Sequence, residues 1–296
     1  MNDVTKTTKR ILVPEIKRRM SSISEKPSDT PQGEQFFLDT MIYFAIKKGL
    51  LTERSTESEM NNLANTLADH VLVLALEITL PVNLTASNLL YQLLERPEYI
   101  RPLREELEGA LDHTNGVWSF DMFHRTPKIE SFSREALRIV TNVAFTSSRI
   151  VKKPLFLPSL GRTIKPGIEI WLPSRWVHLD PEIYPDPERF DGYRFYDPVK
   201  KTCEVQDTLT PSPQWLIFAI GSGLCPGRLL GIRTAQAVLG KFLFNFDMQL
   251  ENDEKAPPFI QISDGLFLNS VINMRLQPRP ACPLASSKSL YEREAD

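Results

Sequence analysis

A glycine-rich segment with one cysteine constrains the fold of this chain more than any other feature. It runs from Phe218 to Gly231, reads FAIGSGLCPGRLLG, and leads into an apolar helix pattern. Pro226 suits the start of a helix, so Cys225 is expected at the positive end of that helix, where an anionic sulfur is favoured. Three glycines can take a positive φ and let the backbone approach a flat ligand: Gly221, Gly223 and Gly227. The segment predicts a metal-ligating thiolate or, more simply, a buried cysteine in a glycine turn.

The cysteine spacing and the overall charge exclude several classes of protein. Cys203, Cys225 and Cys282 lie far apart and lack the paired spacing of a disulfide framework or a zinc site. Lys and Arg number 35 against 37 Asp and Glu, so the net charge of -2 gives no general attraction for nucleic acid. We therefore expect no nucleic-acid partner, and no catalytic role for Cys203 or Cys282.

The apolar pattern indicates a mainly α chain with small β-sheets. Residues 1–33 are predicted to be a polar segment with one short helix at about 9–20, residues 34–279 a single domain, and residues 280–296 a disordered tail. Further helices are predicted at 36–48, 57–80 with an extension to 94, 96–111, 127–140 and 228–247. Short strands are predicted at 143–151 and 164–172, and a terminal hairpin at 257–278.

The N-terminus and the most apolar stretch do not indicate a membrane anchor. The first residues are charged and lack the apolar core of a signal peptide. The stretch from Val71 to Val82 is interrupted by Glu77 and Pro81 and is interpreted as a buried helix.

Two further motifs precede the cysteine segment. Glu135 and Arg138 form a Glu-x-x-Arg pair one helical turn apart, and a Pro-Glu-Arg-Phe segment covers Pro187 to Phe190. Alone, a Glu-x-x-Arg pair is usually a solvated pair worth a few tenths of a kcal/mol. In this order, the three elements resemble the cytochrome P450 family, whose cysteine loop has the form Phe-x-x-Gly-x-Arg-x-Cys-x-Gly. Similarity extends to residues 89–107, which look like the segment after the family's long central helix, and to 178–195, which look like the fungal version of its irregular meander.

The resemblance implies roles for named residues. Phe218, Gly221, Cys225 and Gly227 match the cysteine loop, so Cys225 would bind the iron of haem b. Glu135, Arg138 and Arg189 would form a buried charged triad that braces this loop. Arg149 would bind a haem propionate; the alternative is a surface arginine at a strand end. His178 is interpreted as a structural histidine, although it could approach the haem edge.

The implied function is a haem-thiolate monooxygenase. It would hydroxylate or oxidise an apolar small molecule in fungal secondary metabolism, with electrons from NADPH through a cytochrome reductase, at the endoplasmic reticulum or in the cytoplasm. Two alternatives stay open: a truncated, non-catalytic relative that acts as a binding or structural protein, and a redox-independent haem isomerase or dehydratase.

Departures from the family pattern qualify these expectations. The chain corresponds to a C-terminal portion of the family fold, truncated at the N-terminus and without a membrane anchor. Gly223 replaces a residue that is usually basic, and Leu80 to Val82 stand where an acid or histidine followed by threonine is usual. Glu77 and Thr79, one turn earlier, are candidates for the proton relay; the alternative for Glu77 is a partly solvated charge.

Overall fold

The computed structural model forms two compact units. It describes residues 2–22, 37–52, 54–140, 144–203, 209–251, 260–262, 265–267 and 273–279. The units are Met1–Leu80 and Pro81–Asp296, so the division falls within a helix. The predicted boundary between 33 and 34, the predicted tail 280–296 and Cys282 all lie outside the described residues.

The first unit is helical. It contains α1 (Asn2–Ser22), α2 (Phe37–Lys47) and the first part of α3 (Glu57–Leu94), and α1 is longer than the short helix predicted from the sequence. A reciprocal cap starts α3, because Thr56 N–H donates to the Glu59 carboxylate and Glu59 N–H donates to the Thr56 hydroxyl. A small core joins the three helices through Ile16, Ile42, Ala64, Leu67 and Ala68.

Helix α3 continues without interruption through Pro81, and its middle is exposed. Val73, Leu76, Ile78 and Leu80 are each more than half exposed, with Leu76 at 70%. This corrects the prediction that the stretch is a buried helix. Hydropathy reports what a segment can bury, whereas burial needs a partner element, and the described residues supply none over these side chains. By length and composition alone, α3 is the one described helix that could cross a membrane.

The second unit contains the last turns of α3 and, in the part of the chain that the structure describes, five further α-helices. Its helices are α4 (Ile100–His113), α5 (Phe120–Phe123), α6 (Pro127–Ile139), α7 (Ser174–His178) and α8 (Arg228–Asn245). Helix α6 begins with proline in its first turn, and the Glu106 carboxylate accepts the free N–H groups of Lys128 and Ile129. The prediction of a mainly helical chain with small β-sheets is confirmed.

The described strands form two-stranded antiparallel sheets. They are β1 (Thr146–Ile150), β2 (Leu155–Leu157), β3 (Arg162–Ile164), β4 (Glu169–Leu172), β5 (Tyr196–Asp197), β6 (Thr202–Cys203), β7 (Phe246–Leu250), β8 (Ile260–Ile262), β9 (Gly265–Phe267) and β10 (Met274–Pro278). The pairs are β1 with β4, β2 with β3, β5 with β6, β7 with β10 and β8 with β9. In sequence, the two strands of the β1–β4 sheet flank the β2–β3 hairpin, whose turn contains Gly161.

The main core of this unit lies between the end of α3 and helices α4, α6 and α8. Its fully buried side chains include Leu93, Leu107, Phe132 and Leu239. A smaller core beneath the cysteine segment contains Leu137, Leu209, Trp215 and Ile232. The second core ties α6 and α8 to the chain that enters the cysteine segment, so it supports the candidate site directly.

Candidate functional site

The cysteine segment forms an ordered loop ahead of α8. Cys225 is half-buried with a free thiol, and its N–H donates to the Phe218 carbonyl at 2.9 Å. A single turn of 3-10 helix, Gly221–Gly223, lies between them, and Leu224 N–H donates to the Gly221 carbonyl at 3.1 Å. The backbone around the sulfur is thus fixed by the protein itself.

The junction between loop and helix is held by one arginine. Helix α8 begins at Arg228 with Gly227 as its N-cap, two residues later than Pro226 predicted. The Arg228 side chain donates to the carbonyl of Cys225 at 2.9 Å and to that of Leu209 at 3.1 Å. Cys225 therefore lies just before the helix start, where the backbone partial charges are positive.

The glycines leave the loop surface open. A Cβ atom built on Gly221 or Gly227 would meet nothing within 4 Å, and Gly221 has a φ of +64°. A Cβ on Gly223 would lie 3.3 Å from Nη2 of Arg149. A flat group could therefore approach this backbone closely, with a guanidinium at its margin.

Arg149 reaches the loop from strand β1. Its Nη2 donates to the Ser222 hydroxyl at 3.2 Å and its Nη1 to the Ser148 carbonyl at 2.7 Å, and the side chain is exposed. Ser147 supports the same contact, because its hydroxyl accepts the Ile220 N–H at 3.3 Å. The structure thus brings together Cys225, Phe218, Gly221, Gly227 and Arg149, with both a sulfur and a cation available to a ligand.

A buried charged network lies behind the loop. Glu135 and Arg138 are fully buried, and Arg138 donates to both carboxylate oxygens of Glu135, at 2.7 and 2.8 Å. The remaining lone pairs of the carboxylate accept the Asp191 N–H at 3.0 Å and Nε of Arg194 at 3.1 Å. The pairing is bidentate and every strong acceptor is used, which is what a charge buried in the core requires.

Arg194, and not Arg189, is the second arginine of this network. The Arg189 side chain is exposed, so the predicted triad is corrected at this position. Arg194 also donates to the carbonyls of Pro185, Asp186 and Arg189, at 2.6, 3.3 and 3.0 Å. It therefore fastens the irregular segment 185–189 to Glu135 and occupies the place in the charged network that the resemblance had implied for Arg189.

His178 connects the charged network to the loop. It is fully buried at the end of α7, and its carbonyl accepts Nη1 of Arg138 at 2.7 Å. Its Nε2 accepts the Leu216 N–H at 3.0 Å, and its ring stacks on Trp215 with centroids 5.0 Å apart. Burial, then the charges of Arg138 and Arg134, lower the pKa of His178 to about 3. The imidazole is therefore neutral, with its proton on Nδ1.

The depressed pKa of His178 predicts a loss of stability in acid. The unfolded histidine, with a pKa of 6.5, takes up a proton before the folded one, whose pKa is about 3. The stability from neutral His178 is thus complete above pH 6.5 and falls as the pH is lowered towards 3. Each pH unit in this window should remove up to about 1.4 kcal/mol. Between pH 6.5 and 4.5, the free energy of unfolding measured in urea should depend less steeply on pH in His178→Gln than in the wild type. An equal pH dependence in the two proteins would contradict a depressed pKa for His178.

The remaining sequence candidates are exposed or belong to elements outside the cysteine segment. The side chains of Glu77 and Thr79, in the first unit, are exposed. Cys203 lies on β6, beside a cavity of about 180 Å³ that Lys201, Thr202 and Arg233 also line. Among the described residues, no group of three or more His, Cys, Asp or Glu side chains forms a metal site. Sequence reasoning missed Arg194 and Leu216; the first has a local signal, the repeated Arg-Phe pair, and the second has none.

Comparison with known proteins identifies clear relatives. A family model described as Cytochrome P450 matches residues 1–273. The cytochrome P450 monooxygenase cpsD of Aspergillus campestris is 41% identical over 251 residues, which cover 85% of this chain and 45% of cpsD. The cytochrome P450 monooxygenase dtpC of Aspergillus flavus is 47% identical over 176 residues, 60% of this chain and 93% of dtpC.

A third relative has a more specific name. The bicoumarin synthase ktnC of Aspergillus niger is 35% identical over 271 residues, which cover 90% of this chain and 64% of ktnC. The chain thus spans about half of cpsD and under two thirds of ktnC.

Proposed function

The chain belongs to the cytochrome P450 family, and from that premise we propose that it is the haem-binding part of a monooxygenase. The observation that carries the proposal is the half-buried, free Cys225 in a backbone fixed by Phe218 and Arg228. The donor set suits haem b, because a thiolate is a known axial ligand and an arginine suits a propionate. When bound, haem with a thiolate ligand supplies oxygen activation and the insertion of oxygen into substrate.

The residues of this chain prepare the loop for such a ligand. Gly221 and Gly227 leave open space above the backbone, so a flat macrocycle meets no side chain there. Arg149 stands beside Gly223, and position 223 is where the family usually carries a basic side chain in the loop itself. Arg149 would therefore bind a propionate in place of the absent loop residue, and the Glu135 network keeps the loop in register.

We propose that the substrate is an apolar small molecule of fungal secondary metabolism, as the names and sources of the relatives suggest. Electrons would come from NADPH through a reductase partner, and the protein would work at the endoplasmic reticulum.

Glu77 and Thr79 are proposed for proton delivery, since both side chains are exposed to water. Glu77→Gln should slow turnover and leave the haem spectrum unchanged; unchanged turnover would remove Glu77 from the relay.

The proposed function is tested by titrating the full chain with haem. The reduced protein under carbon monoxide should give the red-shifted Soret band of a thiolate ligand, and oxidation of substrate should depend on NADPH and reductase. A spectrum without that band overturns the haem-thiolate assignment. Turnover that continues without NADPH overturns the monooxygenase assignment in favour of a redox-independent haem enzyme.

Arg149→Gln is expected to weaken haem binding without changing the iron ligand. The substitution removes one charge-assisted contact to a carboxylate from an exposed position, so haem affinity should fall roughly fivefold to tenfold. The red-shifted Soret band should keep its position. Arg162→Gln, at another exposed arginine on β3, is the matched control and should bind haem like the wild type. Equal affinities for both variants would exclude Arg149 as a propionate ligand.

A further inference from the structure

A hydrogen-bonded path runs from the buried network to the cysteine loop through one imidazole. Arg138 donates to the carbonyl of His178, and Nε2 of His178 accepts the N–H of Leu216. The carbonyl of Leu216 in turn accepts the N–H of Ala219 at 3.0 Å. Both backbone groups of Leu216 are thus engaged, one by the network and the other by the first turn of the loop.

The turn that Leu216 closes is a strained one. Ala219 has a φ of +60°, in the left-handed region that favours glycine. A residue with a Cβ stays in this region only where its surroundings hold it there. The next residues return the chain to Cys225, whose N–H is bonded to the Phe218 carbonyl at 2.9 Å. A shift of the turn at Ala219 would therefore move the carbonyl that fixes the backbone of Cys225.

The His178 imidazole can hold Leu216 in place because its hydrogen bond fixes its protonation and its stacking fixes its orientation. The Leu216 N–H can only donate, so Nε2 must be unprotonated. Stacking on Trp215 fixes the plane of the ring. Trp215 is itself fully buried and exchanges two backbone hydrogen bonds with Ser212, at 2.9 and 3.2 Å. The chain entering the loop is therefore held at two successive residues.

We infer that His178 is a positioning residue for the cysteine loop, which it holds through the Leu216 N–H so that the strained turn presents Cys225 to its ligand. The inference rests on the proposed function, since it assumes that Cys225 binds haem iron. The acceptor at Nε2 is the feature that matters, and a side chain of similar volume without that acceptor does not replace it. If His178 only filled space in the core, a side chain of similar volume without an acceptor would replace it.

Three variants distinguish a hydrogen-bonding role of His178 from a role in core packing alone. In His178→Gln, Oε1 can accept the Leu216 N–H from nearly the same place as Nε2. His178→Asn keeps a neutral amide on a side chain too short to do so, and His178→Leu removes the acceptor altogether. His113→Leu, at an exposed histidine ending α4, is the matched control. The Asn variant also serves if the Leu variant fails to fold.

The first measurement is hydrogen–deuterium exchange in the full chain without haem. Loss of the acceptor leaves a buried N–H unpaired, so exchange of the peptide containing Leu216 to Ala219 should rise roughly tenfold in the Leu and Asn variants. The Gln variant and the His113→Leu control should exchange like the wild type. Equal exchange in all variants, or Gln behaving like Leu, overturns the inference. This readout holds even if the chain proves not to bind haem.

The second measurement is the haem spectrum under carbon monoxide. The Leu and Asn variants should give a smaller thiolate fraction than the wild type, and Gln should restore it. Adding Ala219→Gly to the Leu variant should recover part of the loss, because glycine holds a positive φ without support from Leu216. No recovery by either Gln or glycine would show that His178 acts only through packing. Absence of the thiolate band in the wild type itself would instead refute the proposed function.

Discussion

Substitution of Cys225 with serine is expected to abolish the red-shifted Soret band of the reduced, carbon monoxide-treated protein. Serine keeps the size and the loop geometry, since the N–H of residue 225 still donates to the Phe218 carbonyl. It replaces a soft, polarisable thiolate with a hydroxyl, which is a poor ligand for haem iron. The loss should therefore be complete, and any haem that remains should have a spectrum typical of another ligand.

The matched control is Cys203→Ser, because Cys203 is the other free cysteine among the described residues. It lies on β6, beside a cavity lined by Thr202 and Arg233 and by no residue of the cysteine loop. Its substitution should leave the band intact. If the band survives in Cys225→Ser, or is lost in Cys203→Ser, then Cys225 is not the iron ligand.

The cysteine loop could be predicted from sequence because its features are local. Glycines, a cysteine and a Pro-Gly pair before an apolar run limit the backbone within a few residues. The pairing of Glu135 with Arg138 was predicted for the same reason, since residues three apart on a helix share a face, whereas its burial was implied by the family resemblance alone. Helices α2, α4, α6 and α8 were predicted to within a few residues, whereas α1 extends well before the predicted 9–20 and α3 is one helix through Pro81.

The error at Arg189 has a physical origin. Two Arg-Phe pairs, Arg189-Phe190 and Arg194-Phe195, occur five residues apart, and the sequence alone does not select between them. The structure selects Arg194 because Gly192 packs against Tyr99, where an added Cβ would lie 2.6 Å from the ring. That close approach brings the following residues towards α6, where Phe195 N–H donates to Ser131.

The exposure of α3 and the role of His178 illustrate a second limit. Leu76 and Leu80 have the apolar character of core residues, and only tertiary structure decides whether an element covers them. Likewise, His178 and Leu216 are far apart in sequence, and no motif announces their hydrogen bond. Contacts that depend on long-range packing are thus the part of the site that local pattern does not specify.

Replacing Glu135 with glutamine is expected to give the largest loss of stability in the second unit. Arg138 is fully buried, and glutamine offers a single neutral acceptor where the carboxylate accepted two of its bonds. A buried guanidinium left without its counter-charge destabilises a protein by about 3–5 kcal/mol. The unfolding midpoint in urea should fall accordingly, and haem affinity should fall with it because the loop loses its brace.

The two arginines provide a matched pair for the same network. Arg194→Gln should destabilise the protein by about 2 kcal/mol or more, since it removes a contact to Glu135 and frees three carbonyls of segment 185–189. Arg189→Gln removes an equal charge from an exposed position and should change stability by less than about 0.5 kcal/mol. If the two variants unfold at the same urea concentration, or in the reverse order, Arg194 does not hold this segment and the original placement at Arg189 must be restored.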